Sequence, residues 1–235
     1  MIRGVLVYGE RGGLQDRLEK RFYEERIPLI QHTIVDFSWK RRLEATMEIA
    51  DFYSQDTLIF LDAWDTMFLG DSMELHGLHL DDGVTFAAQK FCWPDKSRED
   101  EYDDIQGLCR FKGAPVIPDG IGPWRFLCSN PMAGLGQRIA DALYWGWSRF
   151  PMKTNTNSTE EYDVDERFLT NLYLSEARDI FKIKLDTQCR MNQNFLASVP
   201  GDLWLEDGRI TNVIHGTKPV FVHFNGRSEV PEELL

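Results

Sequence analysis

The chain has 235 residues, 43% of them apolar and 12% aromatic, enough to bury one sizeable core, and a single domain over residues 1 to 235 is expected. Its formal charge of -12 argues against a protein that grips nucleic acid along a broad surface, because that mode relies on clustered Lys and Arg, but allows a local basic groove. Apolar runs are broken well short of the about 18 residues a membrane span requires, and "MIRGVLVYGE" lacks a signal-peptide pattern; a soluble, cytoplasmic protein without a membrane partner is expected. The four cysteines, Cys92, Cys109, Cys128 and Cys189, form no C-x-x-C pair and read as free thiols.

In chain order, "GVLVYGE" (4 to 10) is a short apolar run ending in turn chemistry, and "LQDRLEKRFYEERI" (14 to 27) places Leu14, Leu18 and Phe22 at helical spacing. "LIQHTIVDF" (29 to 37) is a second strand, "WKRRLEATMEIADFY" (39 to 53) a second amphipathic helix, and "TLIFLDA" (57 to 63) a third strand. This alternation predicts an α/β fold with a parallel sheet, whose ligands bind beyond the carboxyl ends of the strands. "GVTFAAQKFCWPD" (83 to 95) supplies a fourth strand. The acidic run at 95 to 104 reads as a solvated loop, and 98 to 124 as a long Gly- and Pro-rich excursion. A strand at 124 to 134, a helix at 135 to 147 and a low-complexity loop at 153 to 159 follow, the last containing the sequon Asn157-Ser158-Thr159. Asp165 opens a helix at 165 to 177, a strand runs from 180 to 186, "LWLEDGRITNV" (203 to 213) is a hairpin around a DG turn, and "KPVFVHFNGRS" (218 to 228) is a final strand and turn.

The two acids of "TLIFLDAWDTMFLG" (57 to 70) stand at a strand exit. Asp62 and Asp65 are three residues apart, so they face one point only on a tight turn. Two hard carboxylates converging there suit a divalent cation with positions open to phosphates; the alternative is that Asp62 bonds backbone amides and Asp65 caps a turn. His223 in "VHFNG" could join the same ion, with Asn225 and Gly226 letting backbone approach a phosphate, and Trp64 offers a flat face for a nucleobase.

The order of these blocks resembles the glycosyltransferase domain of the procollagen lysyl hydroxylase and collagen glycosyltransferase family. "LIFLDAWDTMFLG" is similar to that family's block with an aromatic between two metal-binding acids, and "FAAQKFCWPD" to its alanine-glutamate block ending in cysteine-tryptophan-proline. "FLCSNPMAGLGQRIADAL", "DERFLTNLYL", "IKLDTQCRMNQNF" and "FVHFNGRS" follow its later blocks in order, over about residues 4 to 228. The resemblance implies a GT-A type, Rossmann-like fold with a mixed, mostly parallel central sheet flanked by helices. It also implies a UDP-sugar donor and a manganese (or magnesium) cofactor. By position, Asp62, Asp65 and His223 would bind the metal, Trp64 would stack on uracil, Val7 and Tyr8 would meet the uridine, and Lys40 would lie near the nucleotide. Asp165 would handle the sugar or acceptor. Three positions depart from the pattern: Gln89 stands where an acid is expected, Val164 replaces the neighbour of Asp165 in an acidic pair, and Pro131 replaces a glycine.

The reading that follows is a metal-dependent glycosyltransferase moving a sugar from a UDP-sugar to an acceptor hydroxyl on a glycan, protein, small molecule or hydroxylated nucleobase. Asp165, Gln89 and Trp93 line its sugar end, with Trp93 and the 98 to 124 excursion as a lid that excludes water. Two alternatives use the same residues: a metal-dependent hydrolase of nucleotide sugars or phosphoesters, and a catalytically silent nucleotide-sugar binding module.

Overall fold

The computed structural model describes residues 1–111, 114–116, 122–152, 164–199, 201–226 and 228–235. The low-complexity loop with its sequon, and part of the excursion expected to act as a lid, lie outside the described residues. Strand β1 (Ile2–Tyr8) leads to helix α1 (Gln15–Glu24), β2 (Leu29–Thr33), α2 (Trp39–Phe52), β3 (Thr57–Leu61), the short β4 (Thr66–Phe68), α3 (Ser72–His76) and β5 (Val84–Gln89). Then come α4 (Glu99–Ile105), β6 (Cys109–Phe111), β7 (Ala114–Val116), β8 (Phe126–Leu135), α5 (Gly136–Arg149), α6 (Asp165–Tyr173) and α7 (Ala177–Ile180). The chain closes with β9 (Ile183–Asp186), β10 (Asn192–Asn194), β11 (Leu203–Glu206), β12 (Arg209–Asn212) and β13 (Phe221–His223).

Six strands form the central sheet in the order β2-β1-β3-β8-β5-β9. Only β8 runs antiparallel to its neighbours; β2, β1 and β3 are parallel to one another, as are β5 and β9. This is an α/β sheet, as the strand–helix alternation implies, and it is mixed and mostly parallel, as the family resemblance implies. The inner strands read as unbroken apolar runs because both faces are covered. Val5, Val7, Leu58 and Phe60 face a core built with α2, α5 and α6, while the intervening Leu6, Ile59 and Leu61 face a second core with Leu18, Phe22, Phe68 and Phe221.

Two local features aim the sheet at its carboxyl edge. Helix α2 starts where Ser38 caps it, its hydroxyl accepting the Arg41 N–H at 3.2 Å, which puts Arg42 in the first turn, beside the strand ends. On β8 the pairing jumps from Phe86↔Met132 to Ala87↔Cys128, so Ser129, Asn130 and Pro131 bulge out of the ladder. Proline, which has no N–H to give a ladder, is tolerated at such a bulge. A small sheet, β10-β13-β4, packs beside the edge and brings residues near 190 and 220 to the exit of β3.

Two expectations differ. The acidic run at 95 to 104 is not a loop: Lys96–Arg98 form a 3-10 turn and α4 follows, burying Tyr102 against Phe126 and pairing buried Asp103 with Arg125. A run of charges hides a helix whose two apolar anchors, Tyr102 and Ile105, are too few to show a period. The helix expected at 165 to 177 ends at Tyr173, with α7 a separate turn. The DG hairpin is as expected, with Asp207 and Gly208 at φ of 50° and 69°, the two left-handed residues that a type I′ turn requires.

Helix α6 is held by Phe168, Leu169 and Leu172, which pack among residues of α2 and α5. Because Leu172 is fully buried, Leu172→Ala is expected to lower stability by about 2–5 kcal/mol in chemical denaturation, with an unchanged fold by circular dichroism.

Candidate functional site

The turn after β3 folds as the spacing of its acids demands. Asp62 accepts the Trp64 N–H at 3.1 Å, which closes the turn, and the Asp65 carbonyl accepts the Phe224 N–H at 2.8 Å, which docks β13 alongside. With His223 opposite Thr66 in the β13–β4 register, the imidazole comes to lie against the carboxylate, Nε2 2.9 Å from Asp65 Oδ1. One ligand atom each from Asp62, Asp65 and His223 lie within 4.8 Å of one another.

The imidazole tests whether this trio suits a cation. Its Nδ1 sits 3.1 Å from the Asn130 carbonyl oxygen and 3.0 Å from Asn194 Oδ1, two acceptors, so Nδ1 carries a hydrogen. The Asn194 amide is itself oriented by the 2.7 Å bond from its Nδ2 to the Ala88 carbonyl. In the neutral ring Nε2 then presents a lone pair to Asp65 Oδ1, a buried oxygen with no hydrogen-bond donor. Two acceptors face to face need a positive charge between them, either a proton or a metal ion. Burial alone would depress the His223 pKa, but the Asp65 carboxylate overrides it, and the ring is held well above its ordinary value. Two carboxylates and an imidazole fixed by a second-shell carbonyl are a donor set for manganese or magnesium.

Beyond the trio stands a second group of acids. Asp165 and Glu166 begin α6 and are both buried. The Arg42 guanidinium, packed 5.5 Å from the Trp39 ring centroid, donates to Asp165 Oδ2 at 3.3 Å and lies 3.9 Å from Asp62 Oδ2, tying the two acidic groups together. Burial pushes the Asp165 carboxyl up against the opposing pull of Arg42. Burial, aided by the neighbouring Asp165 charge, raises Glu166 to about 8. Gln89 is fixed at three points: its Nε2 donates to the Leu127 carbonyl at 2.9 Å and to Glu166 Oε1, and its Oε1 accepts from Asn225 Nδ2 at 3.2 Å.

These residues line a cleft of ≈ 660 Å³ containing Asp62, Asp65, Gln89, Asp165, Glu166 and His223, with Trp39, Phe91 and the half-exposed Trp93 along its walls. A second cleft of ≈ 380 Å³ adjoins it through Trp39, Arg42 and Asp62, and is lined by Val7, Tyr8 and Trp64. Trp64 is 55% exposed, its ring laid over Gly12. Gly13 lies so close beneath that a Cβ there would be 1.9 Å from the Trp64 carbonyl oxygen; with φ of 58° it admits only glycine readily.

The structure thus brings together Asp62, Asp65, His223, Trp64, Val7, Tyr8, Gln89, Trp93 and Asp165 around two joined clefts. Asn225 and Gly226 line the larger one, but both ends of the Asn225 amide are already engaged, with Gln89 and with the Leu196 N–H at 3.0 Å. Lys40 is not brought in: its Nζ pairs with Glu44 at 3.3 Å and lies 5.7 Å from the Trp147 ring, while Arg42, two residues on, occupies the site. Arg42, Glu166, Asn130 and Asn194 were not singled out by sequence reasoning. For Glu166 a signal existed, an acid next to Asp165 in the same helical first turn; for Arg42 there was none beyond its place in a basic triplet.

The chain was compared with known proteins. The family model described as "PLOD GT domain" matches residues 40–232. The multifunctional procollagen lysine hydroxylase and glycosyltransferase of Caenorhabditis elegans is 31% identical over 187 residues, covering 75% of this chain and 22% of that protein. The procollagen-lysine,2-oxoglutarate 5-dioxygenase of Drosophila melanogaster is 26% identical over 181 residues, covering 74% of this chain and 22% of that protein. The chain therefore spans about a fifth of the length of these relatives. Among solved structures, a glycosyltransferase involved in glycosylation of the major capsid of PBCV-1 superposes with a TM-score of 0.52 at 10% identity, covering 95% of this chain and 93% of that one, a likeness of fold. Among the described residues no helix is long and apolar enough to cross a membrane.

Two outcomes follow from the charges. Arg42→Met leaves Asp165 buried without its cation and is expected to destabilise the fold by about 3–5 kcal/mol in urea unfolding at neutral pH. Glu166 holds its proton up to about 8 in the fold and only to its ordinary 4.5 when unfolded, so its contribution is full below 4.5 and is lost as pH rises through about 8. Glu166→Gln keeps an acceptor for Gln89 and removes the titration. The variant is expected to match wild type at pH 5 and to exceed it by on the order of 1–3 kcal/mol at pH 8, read from denaturation midpoints across that range.

Proposed function

The chain belongs to the PLOD GT domain family, a family of glycosyltransferase domains, and from that membership we propose that it moves a sugar from a UDP-sugar to an acceptor hydroxyl with a divalent cation, manganese by preference. The observation that carries this reading is the convergence of Asp62, Asp65 and His223 at the point where the two clefts meet. A nucleotide sugar has a flat base, a charged diphosphate and a polar sugar in series, and the clefts offer an aromatic end, a cation site and an acidic end in the same order.

In this reading Val7, Tyr8 and the exposed face of Trp64 receive uridine in the smaller cleft. Asp62, Asp65 and His223 hold the cation, which when bound supplies positive charge to the departing diphosphate. His223 is kept in register by Asn130 and Asn194, so its Nε2 points at the same place before and after donor binds. Arg42 opposes the upward push of burial on the Asp165 carboxyl and holds it at the cleft, where its oxygens accept hydrogen bonds from sugar hydroxyls. Trp39, Phe91 and Trp93 present apolar faces at the acceptor side and exclude water from the reacting carbon. The chain's -12 charge disfavours an acceptor gripped along a polyanionic backbone and leaves the hydroxyl of a glycan, a protein, a small molecule or a single hydroxylated base.

The test is UDP release from a panel of UDP-sugars with and without manganese, for wild type beside Asp65→Ala. Wild type is expected to release UDP with at least one donor, to lose that activity on chelation and to regain it on adding manganese. Asp65→Ala is expected to be slower by on the order of 10²-fold or more. Equal rates for the two proteins, or full activity in chelator, would overturn the cation site. Release that no added glycan, protein or small-molecule acceptor accelerates would favour a hydrolase.

A further inference from the structure

Two carboxyls stand side by side at the start of α6, and their partners differ. Asp165 accepts from the Arg42 guanidinium, a permanent cation that opposes protonation. Glu166 has no Lys or Arg at ion-pair distance among the described residues. What holds it is the neutral amide of Gln89, which is itself clamped by the Leu127 carbonyl and by Asn225. An amide fixes a carboxyl in space without supplying a full charge; the Gln89 bond lowers its proton affinity, but burial outweighs that pull and the group stays high. It also lines the larger cleft, beside Asp165 and across from the metal-ligand trio.

We infer that Glu166 is the group that takes the proton from the acceptor hydroxyl; the inference rests on the transfer reading above. The acceptor oxygen uses a lone pair to bond the anomeric carbon of the donor. The bond from that carbon to the diphosphate oxygen breaks, its electron pair leaving on UDP. The hydroxyl proton passes to a carboxylate oxygen of Glu166, which afterwards releases it to water. The other titratable groups of the cleft are worse placed for this. Asp165 is committed to Arg42, His223 turns Nδ1 to two acceptors and Nε2 to Asp65, and Cys128 is a buried thiol whose pKa burial pushes up. A proton acceptor works best with a pKa near the working pH, and burial sets Glu166 at about 8. The charged and titratable groups that act on it are Asp165 of its own helix, His223 of β13, Cys128 of β8 and Tyr102 of α4.

The experiment compares wild type, Glu166→Gln and the exchange Gln89→Glu/Glu166→Gln, which keeps the contact and moves the carboxyl to the other side of it. The probe is UDP release from UDP-glucose and UDP-galactose with manganese, with water as the acceptor, and UDP affinity is measured separately by calorimetry. Wild type is expected to show kcat rising with pH up to about 8, and Glu166→Gln is expected to lower kcat by about 10²-fold or more, to leave UDP affinity within about twofold of wild type and to flatten that rise. The exchange variant is expected to recover about tenfold over Glu166→Gln. A Glu166→Gln protein whose kcat stays within about threefold of wild type, with the pH rise intact, overturns the inference while leaving the metal and donor reading standing. Wild type that releases no UDP from any donor of the UDP-sugar panel, with water or with added acceptors, removes that reading and the inference with it.

Discussion

Asp62, Asp65, Asp165 and Glu166 converge on one cleft, and two carboxylates about 4 Å apart at an effective dielectric near 20 repel by about 4 kcal/mol. The local architecture is a set of three answers to that repulsion, shared among the four acids. Arg42 reaches between Asp62 and Asp165 and supplies a fixed positive charge. Burial pushes the Glu166 carboxyl up to about 8, so at neutral pH it is mostly protonated and carries little charge, while its ionised fraction can still accept a proton. Asp65 is set against an imidazole that is driven to protonate, the place where a divalent cation can replace a proton. The three answers are not interchangeable: the guanidinium cannot be titrated away, the proton on Glu166 can move, and the charge beside Asp65 can be exchanged for a metal ion.

Long-range strand pairing puts these groups within reach. Asp65 and His223 meet because β13 lies antiparallel to β4 and because Phe224 ties its N–H to the Asp65 carbonyl, a main-chain contact indifferent to the side chains it brings together. The reversed β8 contributes in another way. Its three bulged residues leave the ladder at the sheet's edge, and the freed Asn130 carbonyl becomes the acceptor that sets the His223 tautomer. A flat, regular β8 would keep that carbonyl in the sheet, and His223 would lose one of the two acceptors that fix which nitrogen faces Asp65.

Much of this was legible in the sequence, and what was not has identifiable causes. The strand–helix alternation through residue 63 fixed the parallel half of the sheet, because buried parallel strands are written as unbroken apolar runs and their helices as amphipathic ones. The turn between Asp62 and Asp65 followed from spacing alone. Strand β10 could not be read: Asn192, Gln193 and Asn194 are all polar and all fully buried, so no apolar period marks them, yet Asn194 orients His223. Helix α4 was hidden by its own charges. Arg42 was obscured by Lys40 and Arg41; three consecutive basic residues leave a helix at about 100° intervals, and which one turns inward is decided by where Ser38 starts the helix.

The sugar end of the cleft departs from the resembling family at Gln89 and Val164, and those departures alone would suggest an acidic site that has lost its acids. The placement of α6 argues otherwise. Val164, Asp165 and Glu166 all line the cleft because the helix meets it end-on, so successive residues of the first turn, though about 100° apart around the axis, each reach the same space. A carboxyl at any of them also lies near the positive end of the helix dipole and the unpaired N–H groups of that turn. The physical requirement is thus on the turn more than on one position in it. Val164 contributes an apolar wall, Asp165 and Glu166 carry the acid, and Gln89, where a second carboxyl would add to the repulsion, instead donates a hydrogen bond to the one already there. The sugar end of the cleft keeps two carboxyls with contrasting partners, one held by a cation and one by an amide. That contrast separates a group that binds from a group that can accept a proton.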